Sequence, residues 1–166
     1  LISVDEIHLF DTKGYIYSGS VPKYFGYSFD SGEQMEYFKP MLTDKKLTMC
    51  QDVTPNTSEA KEMMYAITWN EAGNKMIQVG IEPKRLLNEV RQNEVSTVVA
   101  DMPVYKDMEI LVADSDTKIV AGATDSSKIG LEIDSIDMRH YRCVEKQEGA
   151  YIVAVMVEDS YYQQGS

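Results

Sequence analysis

The chain has 166 residues, 43% hydrophobic and 26% charged, a balance that builds a core and excludes disorder for most of its length. Its 16 Lys and Arg stand against 27 Asp and Glu, a net charge of −11 at pH 7. That field repels nucleic acid and anionic membrane surfaces, so no nucleic-acid partner is expected.

In chain order, "VDEIHLFDTKG" alternates Ile7 and Leu9 against Glu6 and His8, which predicts a half-buried strand with the apolar pair inward. Asp11 to Gly14 supply turn chemistry, and "YIYSGS" is the return strand. Pro22 and Gly26 make "VPKYFGYSF" a loop. "SGEQMEYFKPML" reads as a short helix capped by Ser31, with Met35, Phe38 and Leu42 on one face and Pro40 disturbing its last turn. "KLTMCQDV" is a strand and "TPNTSEA" a polar loop. "KEMMYAITW" and "NKMIQVGIE" form a hairpin turning at Asn70 to Gly73. A helix is expected over 82–99, opened by Pro83, with Leu86, Leu87, Val90, Val95 and Val98 at helical spacing. "MEILVADSDTKIVAGAT" is a second strand–turn–strand, and "YRCVEKQEGAYIVAVMVED" a last hairpin turning near Gln147 to Gly149. The polar "SYYQQGS" reads as a frayed end.

The two halves repeat. Glu6-Ile7 matches Glu109-Ile110, Asp11 matches Asp114, and Gly19 matches Gly122 at one offset; Gly26 and Gly130 follow after a one-residue shift. The closing strands correspond too, with Glu82 and Glu158 in the same place. Order kept through the last strand indicates two tandem copies of one small α+β unit, the second shortened in its middle. Each half alone has a thin core, so the two must lean on each other or on a shared helix. Asp11 and Asp114 recur at the turn tips, which marks them as turn-shaping residues bonding the following backbone amides.

"EIHLFDTKGYIYSGS…YFGYSF" and "DMEILVADSDTKIVAGATDSSKIGLEI" each resemble the opening of a Cache domain, the PAS-like extracytoplasmic sensor unit, and "KMIQVGIEP" resembles its closing strand. The resemblance covers the whole chain as a double module. It implies an α+β fold of two tandem PAS-like antiparallel-sheet units joined by a helix. Residues 1–83 would be the membrane-distal unit with the ligand pocket, and residues 84–166 the linking helix and the shorter membrane-proximal unit. It further implies a ligand-sensing ectodomain of a bacterial transmembrane receptor, on the extracytoplasmic face, in a membrane-anchored parent for which a homodimer is one open arrangement. The output would be cyclic-di-GMP turnover, a histidine kinase or chemotaxis. Leu1 rather than Met at the start agrees with a piece of a longer chain. A common amino-acid-binding subfamily uses an Arg and a Trp where this chain reads "MEYFKPML"; only an acidic terminus survives, as Glu82. An amino acid held in that way is not expected, while an amine or a small neutral molecule stays open.

The expected pocket wall is the first sheet. Met49 and Gln51 share one strand face, as do Tyr65, Ile67 and Trp69, and Met76 and Gln78. A buried amide needs partners, and a ligand can supply them to Gln51 and Gln78. Tyr24, Tyr27 and Tyr37 are placed to close the loop side. The candidate ligand-binding residues are therefore Tyr37, Met49, Gln51, Tyr65, Ile67, Trp69, Gln78 and Glu82; a filled core is the competing use of the same stripe.

Catalysis has little support. His8 and His140 lie in separate repeats, "DSSK" has no partner base, and no G-x-S-x-G or phosphate loop occurs. No cofactor or metal is expected: Cys50 and Cys143 lack zinc spacing, and "DSDTK" has no closing Glu for calcium. A Cys50–Cys143 disulfide is conceivable in an oxidising compartment, the alternative being two part-buried thiols. Two other functional readings remain at this level: a ligandless dimerisation or interaction module, and a cytoplasmic PAS-like regulator.

Overall fold

A computed structural model describes residues 4–54, 61–100, 102 and 104–159. The polar loop and the C-terminal tail read from the sequence therefore lie outside the described residues, save for Thr54. The first unit holds β1 (Glu6–Phe10), β2 (Ile16–Gly19), a short helix α1 (Glu33–Glu36), β3 (Met49–Val53), β4 (Met63–Trp69) and β5 (Met76–Ile81). Helices α2 (Pro83–Gln92) and α3 (Val95–Ala100) follow. The second unit holds β6 (Met108–Asp114), β7 (Val120–Ala123), β8 (Tyr141–Glu148) and β9 (Tyr151–Glu158). The protein is thus α+β, with two antiparallel sheets.

The sheet orders are β2-β1-β5-β4-β3 and β7-β6-β9-β8. The second repeats the first without its β3, which is the shortened middle. Local bonds repeat as well. Ile7 N–H donates to Ser20 Oγ at 2.9 Å, and Ile110 N–H to Thr124 Oγ1 at 3.0 Å. The Asx turns are alike: Lys13 N–H donates to Asp11 Oδ1 and Asp116 N–H to Asp114 Oδ1, both at 2.9 Å.

Strand alternation divides the interior. One face of β4 and β5 (Met64, Ala66, Val79, Ile81) packs with Leu86, Leu87 and Val90 of α2, Val98 and Val99 of α3, and Ile110, Val112, Val153 and Val155 of the second sheet. This shared core is how two thin units support each other. The opposite face of the first sheet carries a separate aromatic core of Phe10, Ile16, Phe29, Phe38, Met41, Ile67, Trp69 and Met76.

Four expectations are corrected. In β1 the faces are reversed: His8 is 3% exposed and Ile7 37%, because the loops over the first unit cover the Glu6–His8–Phe10 side. Ser31 does not cap α1; Gly32 holds that position, and Ser31 Oγ accepts from Ser28 N–H instead. Pro40 lies in the opening turn of a separate 3-10 segment, Lys39–Thr43, so the expected helix is two short pieces. The long helix is also two, because Asn93 is extended (φ −141°, ψ 164°) and α3 turns to pack against β7. The two cysteines are free thiols: Cys50 Sγ lies 3.5 Å from the Arg142 carbonyl oxygen as a weak donor.

Candidate functional site

Three rows of residues cross the covered face of the first sheet. Register sets Glu6, Gly80, Tyr65 and Gln51 side by side; next come His8, Gln78, Ile67 and Met49; then Phe10, Met76 and Trp69. The third row is plain core, and Trp69 Nε1–H donates to the Met41 carbonyl at 2.8 Å. Over Glu6, Tyr65 and Gln51 of the first row and His8 and Gln78 of the second the covering segment stands off the sheet. A cavity of about 440 Å³ results, floored by Glu6, His8, Gln51, Tyr65 and Gln78. Its roof is Tyr24 and Tyr27 from the loop after β2, residues 31–35 leading into α1, and Phe38. A concave site with convergent polar groups on an apolar wall is what small-molecule recognition requires.

The polar floor is connected but incomplete. His8 Nε2 lies 2.8 Å from Glu6 Oε1, and Tyr65 Oη donates to Glu6 Oε2 at 3.3 Å. Burial, and then the charge of Glu6, push the Tyr65 phenol well above its ordinary value, so it stays a donor. Gly80 makes room for this ring, since a Cβ there would meet Tyr65 Cε1 at 2.5 Å. Two floor atoms, His8 Nδ1 and Gln51 Oε1, are buried with no hydrogen-bond partner. Such atoms cost about 1–3 kcal/mol each unless a ligand or water satisfies them. Gln78, 4% exposed, completes the floor between His8 and Ile67.

Of the residues proposed from the sequence, Gln51, Tyr65 and Gln78 come together in this cavity. Ile67 and Trp69 lie on the same face but inside the aromatic core. Tyr37 and Met49 line a different groove of about 350 Å³ with Cys50, Arg142 and Cys143, and Tyr37 Oη donates to the Cys50 carbonyl at 3.0 Å. Glu82 stands at the N-cap of α2, its N–H donating to Asp5 Oδ2 at 2.7 Å. The reading of single residues passed over Glu6, His8 and the 31–35 roof. One signal was present for Glu6, its recurrence as Glu109 in the second copy; none marked the roof.

Among the described residues no group of three His, Cys, Asp or Glu side chains is arranged to hold a metal ion, and no helix is long and apolar enough to cross a membrane.

No protein-family model and no curated protein matches the sequence. Among solved structures the chain is similar to an extracellular ligand-binding receptor from Desulfohalobium retbaense, at 13% identity and TM-score 0.36, covering 93% of this chain and 30% of that one. It is similar to the sensor domain of the V. cholerae histidine kinase DctB, at 10% identity and TM-score 0.38, covering 93% and 72%. It is also similar to the ligand-binding domain of the Pseudomonas fluorescens chemoreceptor CtaA, solved with L-serine, at 9% identity and TM-score 0.34, covering 95% and 74%.

Proposed function

We propose that the chain is the extracytoplasmic ligand-sensing part of a bacterial membrane signalling receptor, and that the cavity of the first, membrane-distal unit holds a small-molecule ligand. The observation that carries this is the cavity itself, a space of about 440 Å³ floored by Glu6, His8, Gln51, Tyr65 and Gln78, two of whose floor residues keep a buried polar atom, His8 Nδ1 and Gln51 Oε1, without a hydrogen-bond partner. A filled core would not leave the space.

The route out of the site is covalent and packed. Gln78 and Gly80 lie on β5, which runs straight into α2 at Pro83. Asp5 ties that junction, accepting from Glu82 N–H and from Arg85. Helices α2 and α3 then pack into the core they share with the second sheet. A ligand that favours one position of β5 therefore biases the second unit and the parent beyond it, by its differential affinity for two arrangements.

The test is isothermal titration against a panel of small metabolites, repeated on Gln51→Ala and Gln78→Ala, with receptor output measured for the same variants. Saturable binding lost in both variants, with output lost alongside, is the expected result. If no compound binds and neither variant alters output, the pocket has no sensing role.

A further inference from the structure

We infer that the cavity of the first unit takes a cationic amine, its ammonium held by Glu6 and the neighbouring acceptors, because the second unit already carries its own ammonium at the matching place. This rests on the cavity being a ligand site and adds the chemical class of the ligand.

The match is positional. Glu6 pairs with Gly80, which pairs with Tyr65; in the second sheet Glu109 pairs with Met156, which pairs with Cys143. Glu109 is thus the counterpart of Glu6. The 3-10 turn Pro22–Tyr24 corresponds to Ser126–Lys128. Both turns are fixed alike: Gly26 N–H donates to the Ile16 carbonyl and Gly130 N–H to the Val120 carbonyl, each at 2.8 Å. Lys128 is therefore the counterpart of Tyr24, a roof residue of the cavity.

In the second unit that position is filled from within. Lys128 Nζ lies 2.7 Å from Glu109 Oε1 and 2.9 Å from Asp125 Oδ2, and 5.5 Å from the centre of the Tyr141 ring. The side chains of Lys128 and Glu109 are only 13% and 15% exposed. Burial works to lower the Lys128 pKa, but the bonds to Glu109 and Asp125 outweigh it and the amine is held charged. Met156, in the place of Gly80, is fully buried, and Leu111 and Ala154 replace His8 and Gln78. The second unit has exchanged a polar cavity for a lysine and a methionine.

The first unit keeps the carboxylate and lacks the lysine. Glu6 remains, its side chain 19% exposed, with Glu33 on the opposite wall. No Lys or Arg is among the described residues lining the cavity. His8 Nε2 is engaged with Glu6 Oε1, and Gln51 Oε1 is an acceptor that lacks a donor. An ammonium offers three donors and no acceptor. Tyr24, Tyr27 and Tyr65 add aromatic rings to the lining, groups that attract cations, and Lys23 Nζ already lies 5.2 Å from the centre of the Tyr24 ring. A carboxylate on the ligand would meet Glu6 and Glu33 with no Lys or Arg of the lining to receive it. An amine without an acid group fits better than an amino acid.

Two arms test this. The first is a stability cycle: Tyr24→Lys and Tyr24→Met, each in the Glu6 and the Glu6→Gln backgrounds, by urea denaturation. Tyr24→Lys should exceed Tyr24→Met in folding equilibrium constant by about tenfold with Glu6 present, and the advantage should vanish in Glu6→Gln. No coupling to Glu6 would overturn the inference without touching the cavity's role. The second arm titrates the wild-type chain with benzylammonium, benzyl alcohol and benzoate, and with a panel of aliphatic amines and their alcohol and acid counterparts. Binding confined to the amines, and weakened about tenfold or more in Glu6→Gln, supports it. Binding of the alcohols or acids, indifferent to Glu6→Gln, overturns it while leaving the cavity a ligand site. No binding by any compound of any class removes the ligand site itself, and this inference with it.

Discussion

Tyr65 lies over Gly80 so closely that a β-carbon on the glycine would stand 2.5 Å from Cε1 of the ring. The pair lets an aromatic side chain lie flat on the sheet beside Glu6 and leaves the cavity above open. Gly80→Ala should push the ring off its bond to Glu6 and destabilise the fold by about 1–3 kcal/mol. In a Tyr65→Val background most of that cost should disappear, since the clash has no second party. Urea denaturation of the four proteins measures both.

Gln51 predicts the opposite sign. Its Oε1 is buried without a partner, so Gln51→Leu removes an unsatisfied acceptor while keeping much of the volume. The unliganded protein should become more stable by up to about 1 kcal/mol. Ligand binding should fall at the same time, the usual relation between a site and its stability. Thermal melts with and without any compound that binds the wild type report both changes.

Trp69, on the same strand face as Tyr65, belongs to the core. Trp69→Phe leaves the Met41 carbonyl without its 2.8 Å donor and should cost about 1–3 kcal/mol. A compound that raises the wild-type melting temperature should raise that of Trp69→Phe by a similar amount, because the indole is no part of the cavity wall.

Asp125 gives a pH dependence with a definite window. Its bonds to Lys128 and Ser127 hold the carboxyl down from an ordinary 3.8 to about 2. The folded pKa is below the unfolded one, so its stabilisation is present above 3.8 and is lost as pH falls toward 2. Asp125→Asn can keep the turn bond to Ser127 N–H and removes the charge. Because the side chain is 43% exposed, screening limits the loss at neutral pH to about 0.3–0.5 kcal/mol. Melting curves of the two proteins should converge as pH is lowered through that window.

The cysteines should be slow to react. Burial raises both thiols, Cys50 far above its ordinary value and Cys143, with help from Glu145, up to about 12. Against an ordinary value of 9.0, Cys143 holds roughly a thousandfold less thiolate at neutral pH. Iodoacetamide should leave the native chain nearly unmodified and label two thiols once urea unfolds it.

The succession of strands along the chain, the two Asp turns, the duplication and the shortening of the second copy were legible in the residues alone. Turn residues, strand period and spacing are written within a few neighbours, and the duplication is those local signals recurring in the same order in the second half. Period two also identified which side chains of β3, β4 and β5 share a face, and so grouped Gln51, Tyr65 and Gln78. It could not say what lies across that face. For Ile67 and Trp69 the answer is Phe29, Phe38 and Met41; for Gln51 and Tyr65 it is open space. That difference is made by a covering segment far away in the chain. The same cause reversed β1, where Ile7 and Leu9 look inward on hydropathy alone. Placing β1 beside β5 and under the loop covers Glu6 in part and buries His8 instead, because the side of a strand that is covered is set by tertiary packing.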